Sequence, residues 1–508
     1  MDNKKQNYYD AVFVSPPSRM VNHYRPPVAL MYLAGYLQHK GMKPYIIDCP
    51  MKEVVRKQKF YDNVLEEMKK IEDQMVQEFK WLKTKIVGVT FYTAEYNEVF
   101  SLAKRFKKID PDVKIVVGGI HPTFYTDEVF EDKDSPIDFA IIGEGEMTMY
   151  ELTQTIQDGK KDFRNIKGIA YRDRLSGKIV KTPARCITDN LDGISFPAYN
   201  LVDMEYYTNA SPYAIRGVFL RSTHVLGGRG CPSQCTFCVS KKLREYSGGG
   251  KFVRMRSPKS LVKEIRYLKK KYRIDSFFFM DDLFTLNKQN VIEFCDLMKK
   301  EKVDILWGCA SKVSTLNEAV IKKMAESGCI QIEFGVERAS DHALRLLKKG
   351  ITIKKVREVY RLCKKYKIRT YTNMLVNVPE ETEKDLQDIL DLLKDLDSEL
   401  VSINVFIPHP GTEIYEKSIY NFTKEEYPLL SFAHPDFKPF QSSLKFHKHN
   451  LDIFKWTDDH MKETNKIIPS LKFHVSFKYW RTILMSKRKL NYLKQVGVLA
   501  QEFFMQKF

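Results

Sequence analysis

The chain has nine cysteines in 508 residues, yet three fall in one short run, Cys231-Pro232-Ser233-Gln234-Cys235-Thr236-Phe237-Cys238. Thiolates are soft ligands, and three on a single loop can wrap a metal centre. The preceding Gly227-Gly228-Arg229-Gly230 gives the backbone the freedom to fold around it. A structural zinc takes four protein ligands, usually in two pairs, and no matching second pair follows. Three thiolates suit a cubane iron–sulfur cluster with one iron left open. So few cysteines exclude a disulfide scaffold and point to a reduced, cytoplasmic setting.

The elements that must position this loop are legible in the apolar pattern. Beyond a Pro- and Tyr-containing stretch, roughly 182–211, strands are expected at His224–Leu226, Phe277–Met280, Ile305–Ala310, Gln331–Gly335, Arg369–Leu375 and Val401–Phe406. Helical spacing falls between them, at Ser260–Lys271, Gln289–Lys300, Glu318–Glu326, Lys354–Tyr366 and Glu383–Leu396. Strand–helix steps without a hairpin signal predict a partial or complete β/α barrel, with chemistry at the carboxyl ends of its strands. The cysteine run directly follows the first of those strands.

The first 150 residues alternate in the same way. Tyr9–Val14, Tyr45–Asp48, Ile86–Phe91, Val113–Gly118 and Phe139–Ile142 read as buried strands; Leu30–Gln38, Glu53–Trp81 and Val99–Phe106 read as helices. Continuous apolar strands in this alternation predict a doubly wound parallel sheet. Ligands of such sheets sit at the carboxyl ends of the strands. Here those ends hold Ser15-Pro16-Pro17, Thr93-Ala94-Glu95, Gly118-Gly119-Ile120-His121 and Gly143-Glu144-Gly145-Glu146. Either the four loops converge on a sizeable cofactor, or their Gly and Pro residues punctuate βα turns.

The expected fold is therefore α/β: a Rossmann-like doubly wound parallel sheet (8–180), a linker (181–216), a partial six-step barrel of the TIM type (217–430) and a basic, mainly helical extension (431–508). A composition of 43% hydrophobic and 29% charged residues suits a globular protein. No apolar run reaches the ~18 residues of a membrane-spanning helix, and no secretory signal is evident. The formal charge of +19 favours an acidic partner. Much of it lies late, since residues 441–508 hold 13 Lys and Arg against 5 Asp and Glu. There Phe473, Phe477, Trp480 and Leu484 recur at helical spacing among basic residues. Such a helix can make peripheral contact with an anionic membrane; alternatively it docks on its own barrel or covers the substrate opening. Binding of nucleic acid through the tail is disfavoured, because no RNP-like or KH-like motif is present and the cysteine loop would have no purpose.

The cysteine run resembles the signature of the radical S-adenosylmethionine (SAM) superfamily, C-x3-C-x2-C with an aromatic residue, here Phe237, before the last cysteine. The resemblance implies that Cys231, Cys235 and Cys238 hold a [4Fe–4S] cluster whose open iron binds SAM. Reductive cleavage would then yield a 5′-deoxyadenosyl radical, with the electron from a donor such as flavodoxin or ferredoxin. It also implies that Asp281 and Asp282 lie near SAM, that Glu337 hydrogen-bonds it, and that Pro408-His409-Pro410-Gly411-Thr412 is the family's Pro-Gly-Thr turn. On the residues alone, Asp282 could equally be a helix cap. Two motifs depart from the family's pattern: Asn377-Val378-Pro379-Glu380-Glu381-Thr382 lacks both glycines of Gly-x-Pro-Gly-Glu-Thr, and Glu337-Arg338-Ala339-Ser340 replaces Glu-Ser-Gly-Ser.

The N-terminal loops resemble the cobalamin-binding class of that superfamily, which implies that Gly118, Gly119, His121, Gly143 and Glu144 contact cobalamin. His121 could equally be a residue that closes a βα turn. No Asp-x-His-x-x-Gly motif is present, so its histidine does not supply the lower face of cobalt. Methylthiotransferase relatives carry further cluster cysteines in the first domain, whereas residues 1–180 contain only Cys49. Cys186, Cys295, Cys309, Cys329 and Cys363 read as small buried side chains. The activity implied is methyl transfer to an unactivated carbon of a small-molecule or lipid substrate; the alternative is radical ring closure or oxidation, as in anaerobic tetrapyrrole ring formation.

Overall fold

A computed structural model describes residues 7–18, 25–49, 64–173, 175–209, 214–417, 422–431, 452–464, 473–487 and 492. The chain divides into two compact units: Met1–Asp203 with Thr236–Phe252 and Ile407–Phe446, and Met204–Cys235 with Val253–Phe406 and His447–Phe508. No helix among the described residues is long and apolar enough to cross a membrane.

The first unit is built on a sheet of β1 (Ala11–Val14), β2 (Pro44–Ile47), β3 (Ile86–Thr90), β4 (Lys114–Gly118), β5 (Phe139–Ile141), β6 (Ile169–Arg172) and β7 (Ile179–Lys181), in the order β2-β1-β3-β4-β5-β6-β7. β2 to β5 are parallel, and all four residues of β1 are buried, as a strand covered on both faces requires. The helices Val28–His39 and Tyr96–Ile109 extend those expected from the sequence, and Glu146–Gln157 adds one that was not expected. The long charged helix is found over Val64–Phe79, and its expected first part, 53–63, lies outside the described residues. The antiparallel strands β6 and β7 were not expected from the sequence. They are short and half polar, so the apolar runs that mark the parallel strands are missing. Their turn closes through the Gly177 amide donating to the Asp173 carbonyl at 2.8 Å. The chain leaves β1 toward β2 on one side and returns to β3 on the other, which puts the switch point between β1 and β3.

The second unit carries six parallel strands in sequential order: β8 (Ser222–Val225), β9 (Ser276–Phe279), β10 (Leu306–Ser311), β11 (Cys329–Glu337), β12 (Arg369–Val376) and β13 (Leu400–Val405). This is the partial barrel that the sequence predicts. The helices between the strands start on side-chain caps, which explains why their beginnings are legible. Ser257, Asn287, Asn317, Thr352 and Thr382 accept the amides of Ser260, Asn290, Val320, Lys355 and Asp385. The helix Ile453–Thr464 packs along β13 and covers the strand edge that an incomplete barrel would leave open.

The other end of the barrel is closed by the tail. Tyr479, Ile483 and Tyr492 join Ile215, Val218, Leu220, Phe278, Leu306 and Ile330 in one buried apolar cluster. Tyr479 Oη donates to the Phe219 carbonyl at 3.2 Å, Tyr492 Oη to Asp275 at 2.7 Å, and Arg481 pairs with Asp304 at 2.8 Å. Phe219, Asp275 and Asp304 precede β8, β9 and β10, so the tail seals the amino ends of the strands. The expectation that the tail docks on the barrel is met by its described residues 473–487 and 492, which lie at the amino ends of the strands. The docking face differs from the stripe read in the sequence: Phe477, Trp480 and Leu484 point outward.

Candidate active site

Cys231, Cys235 and Cys238 follow β8 and are free thiols; Cys235 is buried and the other two are half-buried. Three soft thiolates on one loop are the donor number of a cubane cluster with one open iron; among the described residues no three His, Cys, Asp or Glu side chains are arranged to hold a metal ion, so the loop does not present them as a preformed cage. The glycine turn ahead of the loop is tightly built. Gly228 and Arg229 pair antiparallel with Arg254 and Met255. Arg256 donates its amide to the Gly227 carbonyl at 2.8 Å and its guanidinium to the Leu226 carbonyl at 3.0 Å, and it forms a buried ion pair with Glu264. A Cβ on Gly228 would lie 2.7 Å from Met255 Sδ and 2.8 Å from the Arg254 carbonyl oxygen, so glycine is needed for the close approach.

Asp281 belongs to this turn. Its Oδ2 accepts the Gly227 amide at 2.9 Å. Burial pushes its carboxyl up to about 7, while the amides of Gly227 and Gly228 pull it down. Of the expected acid pair, Asp281 thus faces the glycine turn and Asp282 is exposed at the strand end. Asp282 is not the cap of the following helix, because Asn287 fills that role.

Glu337 ends β11 in a left-handed conformation, φ 71°, and its carboxylate pairs with Lys349 Nζ at 2.9 Å. A Cβ on Gly335 would run into both partners. Asn377 ends β12 with φ 64°. Non-glycine residues held there cost about 1–3 kcal/mol each and need a surrounding structure that over-determines them. That structure comes from Arg338, which departs from the family's pattern, and from Glu381, which matches it. Arg338 and Glu381 form a buried ion pair; Arg338 also donates to the Leu375 carbonyl at 2.8 Å, and Glu381 accepts the Asn377 amide at 2.6 Å. Arg338, which departs from one motif, is thus held by Glu381, which the other motif retains, and Glu381 in turn holds the amide of Asn377, which departs from that other motif.

Lys312, just past β10, donates to Ser233 Oγ inside the cysteine loop at 3.1 Å. Burial pulls its pKa down, Cys235 and Cys231 hold it up, and Lys349 adds repulsion. Lys312 and Lys349 went unnoticed in the sequence because lysine is too common in this chain for a single one to stand out. Arg338 was visible as a departure and Glu381 as a match to the family's motif, but not as partners.

On the first unit, hydrogen bonds join the four strand-end loops. Ser18 Oγ donates to Glu95 Oε1 at 2.7 Å, the Gly143 amide donates to Thr123 Oγ1 at 3.2 Å, and Thr123 Oγ1 donates to the Gly119 carbonyl at 2.7 Å. The first of these bridges the β1/β3 switch point. Glu95 is buried, which pushes its carboxyl up to about 7; Ser18 and the Tyr92 amide pull it down. Gly119 has φ 103° and an added Cβ would meet Thr90 Oγ1 at 2.7 Å, whereas Gly118 has room for one. Gly143 is also left-handed, at φ 81°.

His121 sits within the packing of its own unit. It is fully buried, with Nδ1 3.2 Å from Thr93 Oγ1 and with Phe91, Tyr96, Tyr125 and Tyr427 around it. Burial keeps it neutral, with its pKa lowered to about 3. Glu144 lines a cavity of about 190 Å³ together with Tyr36, Arg185 and Thr188. Cys295, Cys309, Cys329 and Cys363 are buried as expected; Cys186 is exposed, since it lies in the linker and not in an apolar element.

Residues 225–393 match the family model of the radical SAM superfamily, and residues 20–153 match that of the B12 binding domain. An uncharacterized methyltransferase of Pyrococcus horikoshii is 30% identical over 416 residues, covering 81% of this chain and 83% of the relative. The chain belongs to the radical SAM superfamily. An anaerobic magnesium-protoporphyrin IX monomethyl ester cyclase of Rubrivivax gelatinosus is 29% identical over 82% of this chain and 70% of its own length. The fold is that of TsrM, a radical SAM methyltransferase from Kitasatospora setae solved with cobalamin and a [4Fe–4S] cluster, with a TM-score of 0.61 and 19% identity over 80% of this chain and 76% of that one. As a radical SAM enzyme with a B12-binding domain, the protein uses a [4Fe–4S] cluster, SAM and cobalamin. The cysteine loop, Asp281, Lys312, Glu337, Lys349 and the Arg338–Glu381 pair all lie within the radical SAM match, and the tail lies outside it.

Proposed function

We propose that this radical SAM enzyme transfers a methyl group from SAM to an unactivated carbon of a small-molecule substrate. The observation that carries the reading is the presence in one chain of a B12-binding sheet and a cysteine-loop barrel, with 30% identity to a methyltransferase across both. Bound cluster, SAM and cobalamin together supply a radical source and a methyl donor. Cys231, Cys235 and Cys238 hold the iron, and the Gly227–Asp281 clamp sets the angle at which their loop leaves β8. Lys312 and Lys349 place positive charge beside the cysteine loop, suited to the carboxylate of SAM. Glu337 and Asp282 offer carboxylates to its amino group or ribose. On the first unit, the edge that bears Ser15–Ser18, Thr93–Glu95 and Gly118–Thr123 is the cobalamin seat. The basic balance of the chain, +19, suits an acidic one-electron donor of the flavodoxin or ferredoxin type.

The test uses anaerobically reconstituted protein and SAM with a deuterated methyl group. The expected result is labelled product, with S-adenosylhomocysteine and 5′-deoxyadenosine formed in about equal amounts, one SAM serving as methyl source and one as radical source. Replacing all three cysteines by Ala abolishes iron binding and SAM cleavage. Unlabelled product with 5′-deoxyadenosine alone overturns methyl transfer in favour of ring closure or oxidation, the reading that the cyclase relative favours.

A further inference from the structure

We propose that the outward face of the helix Phe477–Met485 docks on an anionic lipid surface and anchors the barrel by the end opposite its cysteine loop. The helix is fixed in rotation, because Tyr479 and Ile483 are 4% and 2% exposed within the apolar cluster at the barrel base. The opposite face is apolar and open to solvent. Phe477 is 82% exposed, Leu484 67%, Met485 65% and Trp480 41%, and Val475 just ahead of the helix is 67% exposed. At 100° per residue, Phe477, Trp480, Leu484 and Met485 share one arc with Arg481. Single exposed apolar residues are ordinary, but a contiguous group of aromatic and large aliphatic side chains marks an interaction surface.

Charge selects the occupant. Between Thr464 and Gln501 the sequence has eight Lys or Arg and no Asp or Glu. Lys487 is exposed just past the helix, and Arg481, exposed on the face, shares its charge with Asp304. A second copy of the chain would bring the same positive charge against this face in a self-complementary contact, which like-charge repulsion disfavours. An anionic lipid surface answers both features: Trp and Phe enter the headgroup boundary and Lys and Arg meet lipid phosphate. The barrel strands separate this face from the cysteine loop by about 20 Å at ~3.3 Å per residue. The helix is thus an anchor and not a route for substrate into the barrel mouth, so its function is separable from SAM cleavage.

The experiment uses the full-length, cluster-loaded enzyme with vesicles of phosphatidylcholine alone or mixed with phosphatidylglycerol. The wild type is expected to sediment with the mixed vesicles at low salt, to shift its tryptophan emission to the blue, and to leave the vesicles as salt rises. The triple variant Phe477→Ser/Trp480→Ser/Leu484→Ser, altered at exposed positions only, is expected to lose at least about tenfold in vesicle affinity, with thermal stability and SAM cleavage retained. Wild type that ignores the mixed vesicles overturns the proposal, as does a triple variant that binds them equally well. A dimer in light scattering that the triple substitution dissolves, without vesicle binding, also overturns it and assigns the face to a second copy. None of these outcomes depends on which product the enzyme makes.

Discussion

At the carboxyl ends of the barrel strands the chain gathers charge, whereas at the carboxyl edge of the N-terminal sheet it suppresses it. The barrel end carries the Glu337–Lys349 and Arg338–Glu381 ion pairs and Lys312 beside the cysteine loop. The sheet edge carries a histidine held neutral, a glutamate pushed toward neutrality, and otherwise glycine, threonine and aromatic side chains. Burial acts in both places, and the barrel pairs most of its charges, although Asp281 is pushed up to about 7 as Glu95 is. A paired charge stays charged, while an unpaired buried group shifts its pKa until it is neutral. The difference suits the two cofactors: SAM and thiolates bring charge that must be answered, and a macrocycle asks mainly for a shaped, uncharged edge.

The comparison breaks most visibly at the barrel. Arg338→Met strands Glu381 as an unpaired buried carboxylate and is expected to cost ~3–5 kcal/mol in urea unfolding of the barrel unit. Removing both partners with Arg338→Met/Glu381→Met should restore much of that loss. If the single variant is no less stable than the double one, the pair is not a buried clamp and the contrast between the two regions fails.

The sheet edge is tested by pH. The Glu95 carboxyl lies at about 7 in the fold against an ordinary 4.5. A raised acid stabilises the fold fully below its unfolded value, and that contribution is lost as pH rises through 7. The N-terminal unit should therefore lose stability between about pH 4.5 and 7. Glu95→Gln should flatten that slope; a slope left unchanged shows that the buried glutamate is already ionised. The smallest effect is expected at His121. A His121→Gln variant should bind hydroxocobalamin as the wild type does, judged by the absorbance shift, because the ring is enclosed by its own unit. A large loss of affinity in a folded variant makes His121 a cofactor contact and gives the sheet edge a polar ligand after all.

Much of this fold was legible because its signals are local. The barrel helices announce themselves with capping side chains, strands such as β1, β3 and β9 with apolar runs, and the cluster site with three cysteines on one loop. The strands β6 and β7 escaped because half-polar hairpin strands carry neither signal. Local composition also determined that the tail is basic and amphipathic. Tertiary structure alone decided which of its faces docks, since Tyr479 and Ile483 had to meet the amino ends of strands more than a hundred residues away in sequence. It likewise decided that Asp281 holds the glycine turn, that Glu337 meets Lys349, and that Arg338, a departure from one family motif, pairs with Glu381 of another. Spacing along a chain reports which side chains share a loop or a helix face. Which buried charge answers which depends on distances between elements that no single segment encodes.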